Sequence, residues 1–462
     1  MMIQKMVTAA LVVLQIFTLK ADNLNPRPIM EMKANAALIT LDYSPDGKKI
    51  AVGGQTNELT IYDIQESKAV MTLKGHTDNV VSVKYSPNGR YIASGGVDNK
   101  LIIWDAITGD IIYKHAVHRD YVRDVVFSPD SKMVASASWD GTANVWNTLT
   151  GEILGTITGH LDNVTTVAFS PDGSELLTGS GDKTIRAWDT KTWQQKYVLN
   201  GHTDEVWDAK YAPNGRFVAG GAWDNKARVW DLKDKREIWT FAAHTSDVWS
   251  VAFHPNSQIL ATGGGDRKVK LWDLATGTMI ADMSGDLFTA EVESVTFSPD
   301  GKQVAAVSRD GYLRVFETPS VSDRKKAYTD KCLADWSVKG AYEKSEDFKD
   351  RLEKRSKQDL VFAETFDKKA TEFFDQNSDW QKWTLKEYDA DKETYKVYSP
   401  VMGMLAVRVP AKEADAFKEN FKAAQIKSPK FKIGGKDVEL EKAEIHVPVG
   451  QDTKAYFMTM MK

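Results

Sequence analysis

The chain has 462 residues, a formal net charge of −4 and a single cysteine, Cys332. The absence of a basic excess argues against a nucleic-acid partner or an anionic lipid surface, and one cysteine rules out an intrachain disulfide and argues against a cysteine-based zinc site. The length allows one large domain and one smaller one.

The N-terminus differs from everything after it. Met1–Lys5 carries one positive charge, Met6–Leu19 is almost wholly apolar, and a polar run begins at Asp22. This is the pattern of a secretory signal peptide over residues 1–21, with cleavage after Ala21. The apolar run is shorter than the roughly 20 residues of an ordinary membrane span, and no other stretch is long enough to provide a transmembrane span. A periplasmic or secreted protein is expected. If the leader is not cleaved, the chain is cytoplasmic instead.

From residue 28 to 318 the chain repeats itself. A turn close to Ser-Pro-Asp-Gly starts at Ser44, Ser86, Ser128, Ser170, Ala212, His254 and Ser298, with five steps of 42 residues and one of 44. A second ladder, Trp-Asp or a relative, runs through Tyr62, Trp104, Trp146, Trp188, Trp230, Trp272 and Phe316. A third places His76, His118, His160, His202 and His244 ahead of the turns. A fixed period near 40 residues means one supersecondary unit copied and stacked. Within one repeat, Val164–Phe169 alternates as a strand should, and Ser170–Gly173 turns. Glu175–Gly179, Thr184–Trp188 and Trp193–Leu199 add three more short strands. Such a four-stranded sheet buries both faces only by radial stacking.

These elements resemble the WD-repeat β-propeller family, in order and in register. The resemblance implies an all-β, seven-bladed propeller. It also implies that each blade is braced by a buried hydrogen-bonded set: His76, Ser94, Asp98 and Trp104; His118, Ser136, Asp140 and Trp146; His160, Thr178, Asp182 and Trp188; and His244, Thr262, Asp266 and Trp272. The fifth blade keeps His202, Asp224 and Trp230, but Gly220 replaces the hydroxyl. A His beside an Asp and a Ser looks like a hydrolase triad. Here the constellation repeats around the ring, and a buried polar set that must satisfy itself explains the fixed residue types. The seventh repeat supplies only three strands, so residues 29–33, which resemble Val70–Lys74, are expected to complete it and leave no open edge.

In this family, partners often engage the top of the ring, at the start of the innermost strand and before the turn aspartate. Those positions read Tyr121, Arg123 and Trp139; Glu205, Trp207 and Trp223; Asp247 and Trp249; and Glu291, Glu293 and Arg309. Other repeats place Gly, Val or Thr there. Tryptophan, tyrosine and arginine are enriched at binding hot spots. Aromatics beside carboxylates suit a cation. A protein or peptide partner with a Lys or Arg side chain is expected on these residues, taken as exposed.

Residues 319–331 are expected as a linker and 332–462 as a small α+β domain. Helices are expected from Asp335, as cap, to about Lys357, from Asp359 to Phe374 and from Ala411 to Ala424. Six strands complete the domain, with turns at Asp389–Asp391 and Gly434-Gly435. No motif asks for a cofactor or a metal. The expected function is a non-catalytic protein-interaction scaffold of the cell envelope or secreted space. The alternative is a propeller hydrolase with a carboxylate or metal site formed by Glu205, Asp247, Glu291 and Glu293 in the ring mouth.

Overall fold

A computed structural model describes residues 27–462, apart from 117, 243, 284–286, 338–346, 348–350, 352–353, 378–382, 390–391, 400–402, 434–437, 450–451 and 461–462. The signal peptide expected at 1–21 lies outside the described residues, as do most of the two C-terminal turns.

Each repeat folds for local reasons. In the Ser170 turn, the Ser170 hydroxyl donates to Asp172 Oδ1 at 2.6 Å and accepts the Glu175 N–H at 2.9 Å. Gly173 supplies the left-handed φ of 73° that closes the turn. The result is seven four-stranded antiparallel sheets, with innermost strands Leu38–Tyr43, Val80–Tyr85, Val122–Phe127, Val164–Phe169, Val206–Tyr211, Val248–Phe253 and Val292–Phe297. These sheets are called blades one to seven. Each innermost strand packs on the next, and the seventh packs on the first, so the sheets form a β-propeller. The seventh sheet takes its outer strand, Met30–Lys33, from the N-terminal end, with Met30 opposite Val315 and Lys33 opposite Tyr312.

A polar belt ties neighbouring blades around the channel. Thr40, Ser82, Asp124, Thr166, Asp208 and Ser250 accept the backbone N–H of Val83, Val125, Val167, Ala209, Val251 and Val295 at 3.0–3.4 Å. Lys210 bridges Asp124 at 3.3 Å and Asp208 at 2.7 Å. These buried acceptors are satisfied only when adjacent blades are seated, which fixes their mutual register.

Residues 319–331 are not a linker. They open helix α1, Val321–Trp336, behind a capping box in which Ser320 and Asp323 satisfy each other's backbone N–H groups. Asp335, expected as a cap, therefore lies in the last turn of α1. Helix α2 runs over Arg355–Asn377. A six-stranded sheet follows, ordered Thr384–Asp389, Thr394–Ser399, Gly403–Arg408, Asp452–Met460, Val438–Val449 and Gln425–Ile433. Phe366, Ala370 and Phe374 of α2 pack with Val397, Leu405, Val407, Ile445 and Met458 in its core. The helix expected over Ala411–Ala424 is α3, Ala414–Asn420, flanked by two 3-10 turns.

This domain docks on blades five and six, at the end of the ring that carries the Ser-Pro-Asp-Gly turns. Arg324 of α1 bonds Asp273 at 2.6 Å and Gln258 at 2.7 Å. Arg216 donates to the Gln376 carbonyl at 2.7 Å, and Phe217 stacks on Phe373 at 5.7 Å. These contacts all lie at that one end of the ring. Among the described residues, no helix is long and apolar enough to cross a membrane.

Candidate functional site

Two backbone features place the variable residues together. First, every innermost strand bulges at the same step: the register skips one residue between Leu38 and Thr40, Val80 and Ser82, Val122 and Asp124, Val164 and Thr166, Val206 and Asp208, Val248 and Ser250, and Val292 and Ser294. A bulged residue leaves the ladder and its side chain is re-aimed. The skipped residues, Ile39, Val81, Arg123, Thr165, Trp207, Trp249 and Glu293, line a cavity of about 250 Å³ at the channel mouth. Second, the two loops flanking each bulge are stitched by a backbone bond. The N–H groups of Trp139, Trp223 and Arg309 donate to Tyr121, Glu205 and Glu291 carbonyls at 3.0–3.1 Å.

The tryptophans meet as one cluster. Trp207 lies 5.1 Å from Trp223, stacked, and 4.9 Å from Trp249, edge-on; Trp139 lies 6.3 Å from Trp207, and Tyr121 lies 5.0 Å from Trp139. Aromatic pairs at these separations attract beyond their buried area. The indole N–H groups of Trp139, Trp207, Trp223 and Trp249 are buried and have no protein acceptor among the described residues. Gly265 makes room for this packing, because a Cβ there would stand 3.0 Å from Trp249 Nε1.

Two of the ring faces are already covered by the chain's own cations. The Arg123 guanidinium sits 4.8 Å over Trp207 and that of Arg309 sits 5.7 Å over Trp249. Arg309 is also paired with Glu293. The expectation of exposed site residues fails for two of them: Trp207 is 8% exposed and Glu293 4%. The bulge turns both into the mouth, where the neighbouring rings and Arg309 cover them. Burial pushes the Glu293 carboxyl above its ordinary value, against the pull of Arg309 and Arg123.

Glu205, Asp247 and Glu291 remain partly exposed. Burial raises the Glu205 carboxyl, and the like charges of Asp162 and Asp204 raise it further, against a smaller pull from Lys183. Burial and Asp204 raise Asp247 in the same way. These side chains therefore form an electronegative arc beside the tryptophans. Asp162 and Asp204 were not among the sequence candidates. They occupy a position that also reads Asp78 and Asp120 in other repeats, so repetition hid them. Among the described residues, no three His, Cys, Asp or Glu side chains converge as a metal site.

The histidine sets are chains of hydrogen bonds. Trp104 Nε1 donates to Ser94 Oγ at 2.8 Å, Ser94 Oγ meets His76 Nε2 at 2.8 Å, and His76 Nδ1 meets Asp98 at 2.9 Å. Ser94 thus accepts from the indole and meets the imidazole at the same oxygen, joining Trp104, His76 and Asp98 in one chain. The same chain recurs at His118, His160 and His244. In blade five His202 still meets Asp224, but its Nε2 has no partner, and Trp230 turns to the Asn200 carbonyl at 3.3 Å.

Stacked sheets, inter-blade belts and repeated internal braces define a repeat-built β-propeller whose variable residues gather on one face. The chain belongs to the WD-repeat family: the model described as WD domain, G-beta repeat matches residues 67–105, 109–147, 151–189, 193–231, 235–273 and 277–317, just over half of the chain. Repeats of this family serve as scaffolds for protein–protein interaction. A comparison with curated proteins finds none that matches. Each matched window begins in the outer strand of one blade and ends in the third strand of the next, so neighbouring blades share every repeat. The first three strands of blade one fall outside the matches, and blades one and seven are the two that carry no histidine.

Proposed function

We propose that the protein is a seven-bladed, non-catalytic scaffold that holds a protein or peptide partner on the face carrying Trp139, Trp207, Trp223 and Trp249. The observation that carries this reading is the tryptophan cluster itself. It is built at positions freed from the fold by bulges and turns, and it stands at the end of the ring opposite the one on which the C-terminal domain docks. Clustered, well-packed aromatics flanked by arginine are the composition of binding hot spots. A Lys or Arg side chain of the partner suits the arc of Asp204, Glu205 and Asp247, whose mutual repulsion it would relieve. The apolar leader supports export, with the scaffold in the periplasm or secreted space and the C-terminal domain as a second contact in an envelope assembly. N-terminal sequencing of the mature protein tests the export. Affinity capture of partners with the wild-type chain and with Trp207→Ala/Trp249→Ala tests the face. Capture should disappear while circular dichroism and the thermal transition keep the signature of an intact ring. Unchanged capture would overturn the assignment.

A further inference from the structure

Among the described residues, the channel mouth holds donors that no protein group uses. Arg123 projects into it from its bulge, and its hydrogen bond is a long one, to the Val81 carbonyl at 3.4 Å. The buried Glu293 carboxylate, which feels the Arg123 charge, is paired with Arg309. Among the described residues no carboxylate pairs with Arg123, so most of its planar N–H fork is free. Trp207, more than nine-tenths buried, lies beneath it, and Trp207 and Trp249 both line the cavity with buried indole N–H groups that lack an acceptor among the described residues. A buried donor without an acceptor is costly. An arginine fork held over an aromatic face is preorganised for a planar, two-oxygen acceptor.

We propose that the partner anchors itself here by a carboxylate that pairs with Arg123 and takes the free indole N–H of Trp207, with a basic group beside it on the Asp204–Glu205–Asp247 arc. The inference rests on the scaffold reading above and names the chemistry of its ligand. A phosphate is disfavoured, because a dianion would face Glu205, Asp247, Glu291 and Glu293 on the same arc. A carboxylate carries half that charge and matches the fork. The group is supplied either by an acidic side chain or by the end of a peptide chain.

The whole chain, titrated by tryptophan fluorescence, tests this with four probes. They are acetyl-Lys-Gly-Glu-amide, acetyl-Lys-Gly-Gly as the free acid, acetyl-Lys-Gly-Gly-amide, and acetyl-Lys-Gly-phosphoserine-amide. At least one carboxylate probe should bind and quench roughly tenfold more tightly than the amide probe, which lacks a carboxylate, the strength of one charge-assisted hydrogen bond. The first two probes tell a side chain from a chain end. Arg123→Gln should erase that advantage, so that the carboxylate and amide probes bind alike. Equal binding of the amide, tighter binding of the phosphoserine probe, or an unaltered preference in Arg123→Gln would overturn the proposal. The two readings fail differently. Loss of partner capture in the tryptophan double variant, with no carboxylate preference, overturns only the carboxylate. A carboxylate preference with capture intact in that double variant overturns the scaffold face and, with it, the proposal that a protein partner supplies the carboxylate.

Discussion

Arg324 donates its Nε–H to Asp273 Oδ2 at 2.6 Å, with both side chains at most 2% exposed. Asp273 is the acid of the sixth Trp-Asp pair. In blade two the equivalent Asp105 only caps its own turn, accepting from Ile107 and Thr108. Asp273 keeps that duty through Thr276 and uses its other oxygen for the helix of a different domain. One template residue thus serves both the repeat and the junction.

Arg324→Met should leave Asp273 buried without its cation. Removing one member of a buried pair costs about 3–5 kcal/mol. The loss is expected at the junction first. Limited proteolysis should cut after residue 318 faster than in the wild type, while the tryptophan fluorescence of the ring stays unchanged. A variant with wild-type cleavage rates would contradict the junction's reliance on this pair.

Acid should loosen the blades in two stages. Burial holds the His118 imidazole below its ordinary 6.5, against the opposing pull of Asp140. The unfolded chain therefore takes up that proton first, and stability falls as pH drops below about 6.5. Burial works against the Asp98 and Asp182 carboxylates, but the hydrogen bonds they accept from His76, His160 and the backbone N–H groups of Thr77 and Leu161, with nearby positive charge, together outweigh it and hold both below their ordinary 3.8. Their contribution is present above 3.8 and lost as pH falls beneath it. Urea midpoints at pH 7, 5 and 3.5 should decline in that order, and a midpoint that rises on acidification would contradict the sign.

The brace chains predict an asymmetry between blades. Ser94→Ala would strand both His76 Nε2 and Trp104 Nε1, at about 1–3 kcal/mol for each buried group. In blade five that hydroxyl is already missing. His76→Ala should therefore cost more than His202→Ala by about 1 kcal/mol, the worth of one buried hydrogen bond. Equal losses in paired urea titrations would show that the hydroxyl contributes nothing.

Much of this was legible because the chain compares with itself. Residues at a fixed step, such as His76 and Trp104, read as braces, and the odd ones, such as Trp207 and Trp249, read as a face. Their burial was not legible. Trp207 and Glu293 stand at a bulge, and one skipped register step turns a side chain from a strand face into the channel mouth without changing the residue pattern. The partnership of Arg123 with Trp207 was equally hidden, because it joins residues two blades apart. The helix at Val321 was missed because its signal is a capping box, Ser320 with Asp323, ahead of a strongly charged stretch with a weak apolar stripe.

The acidic arc should trade stability for binding. Glu205 and Asp247 have carboxyls raised by burial and by Asp204, so their ionisation works against the fold, and the contribution of the protonated form is lost as pH rises through the raised values. Glu205→Gln/Asp247→Asn removes two charges that Asp204 repels. At pH 7 its thermal midpoint should equal or exceed that of the wild type. A cationic partner loses its counter-charge in the same step. Its association rate should fall and become less sensitive to salt, since exposed complementary charges act chiefly on the encounter. In the wild type, capture of such a partner should begin to weaken at a pH above the ordinary carboxylate range, as the raised groups take up protons. A double variant that is less stable, or that captures a cationic partner as quickly as before, would show that these carboxylates serve the fold and not the face.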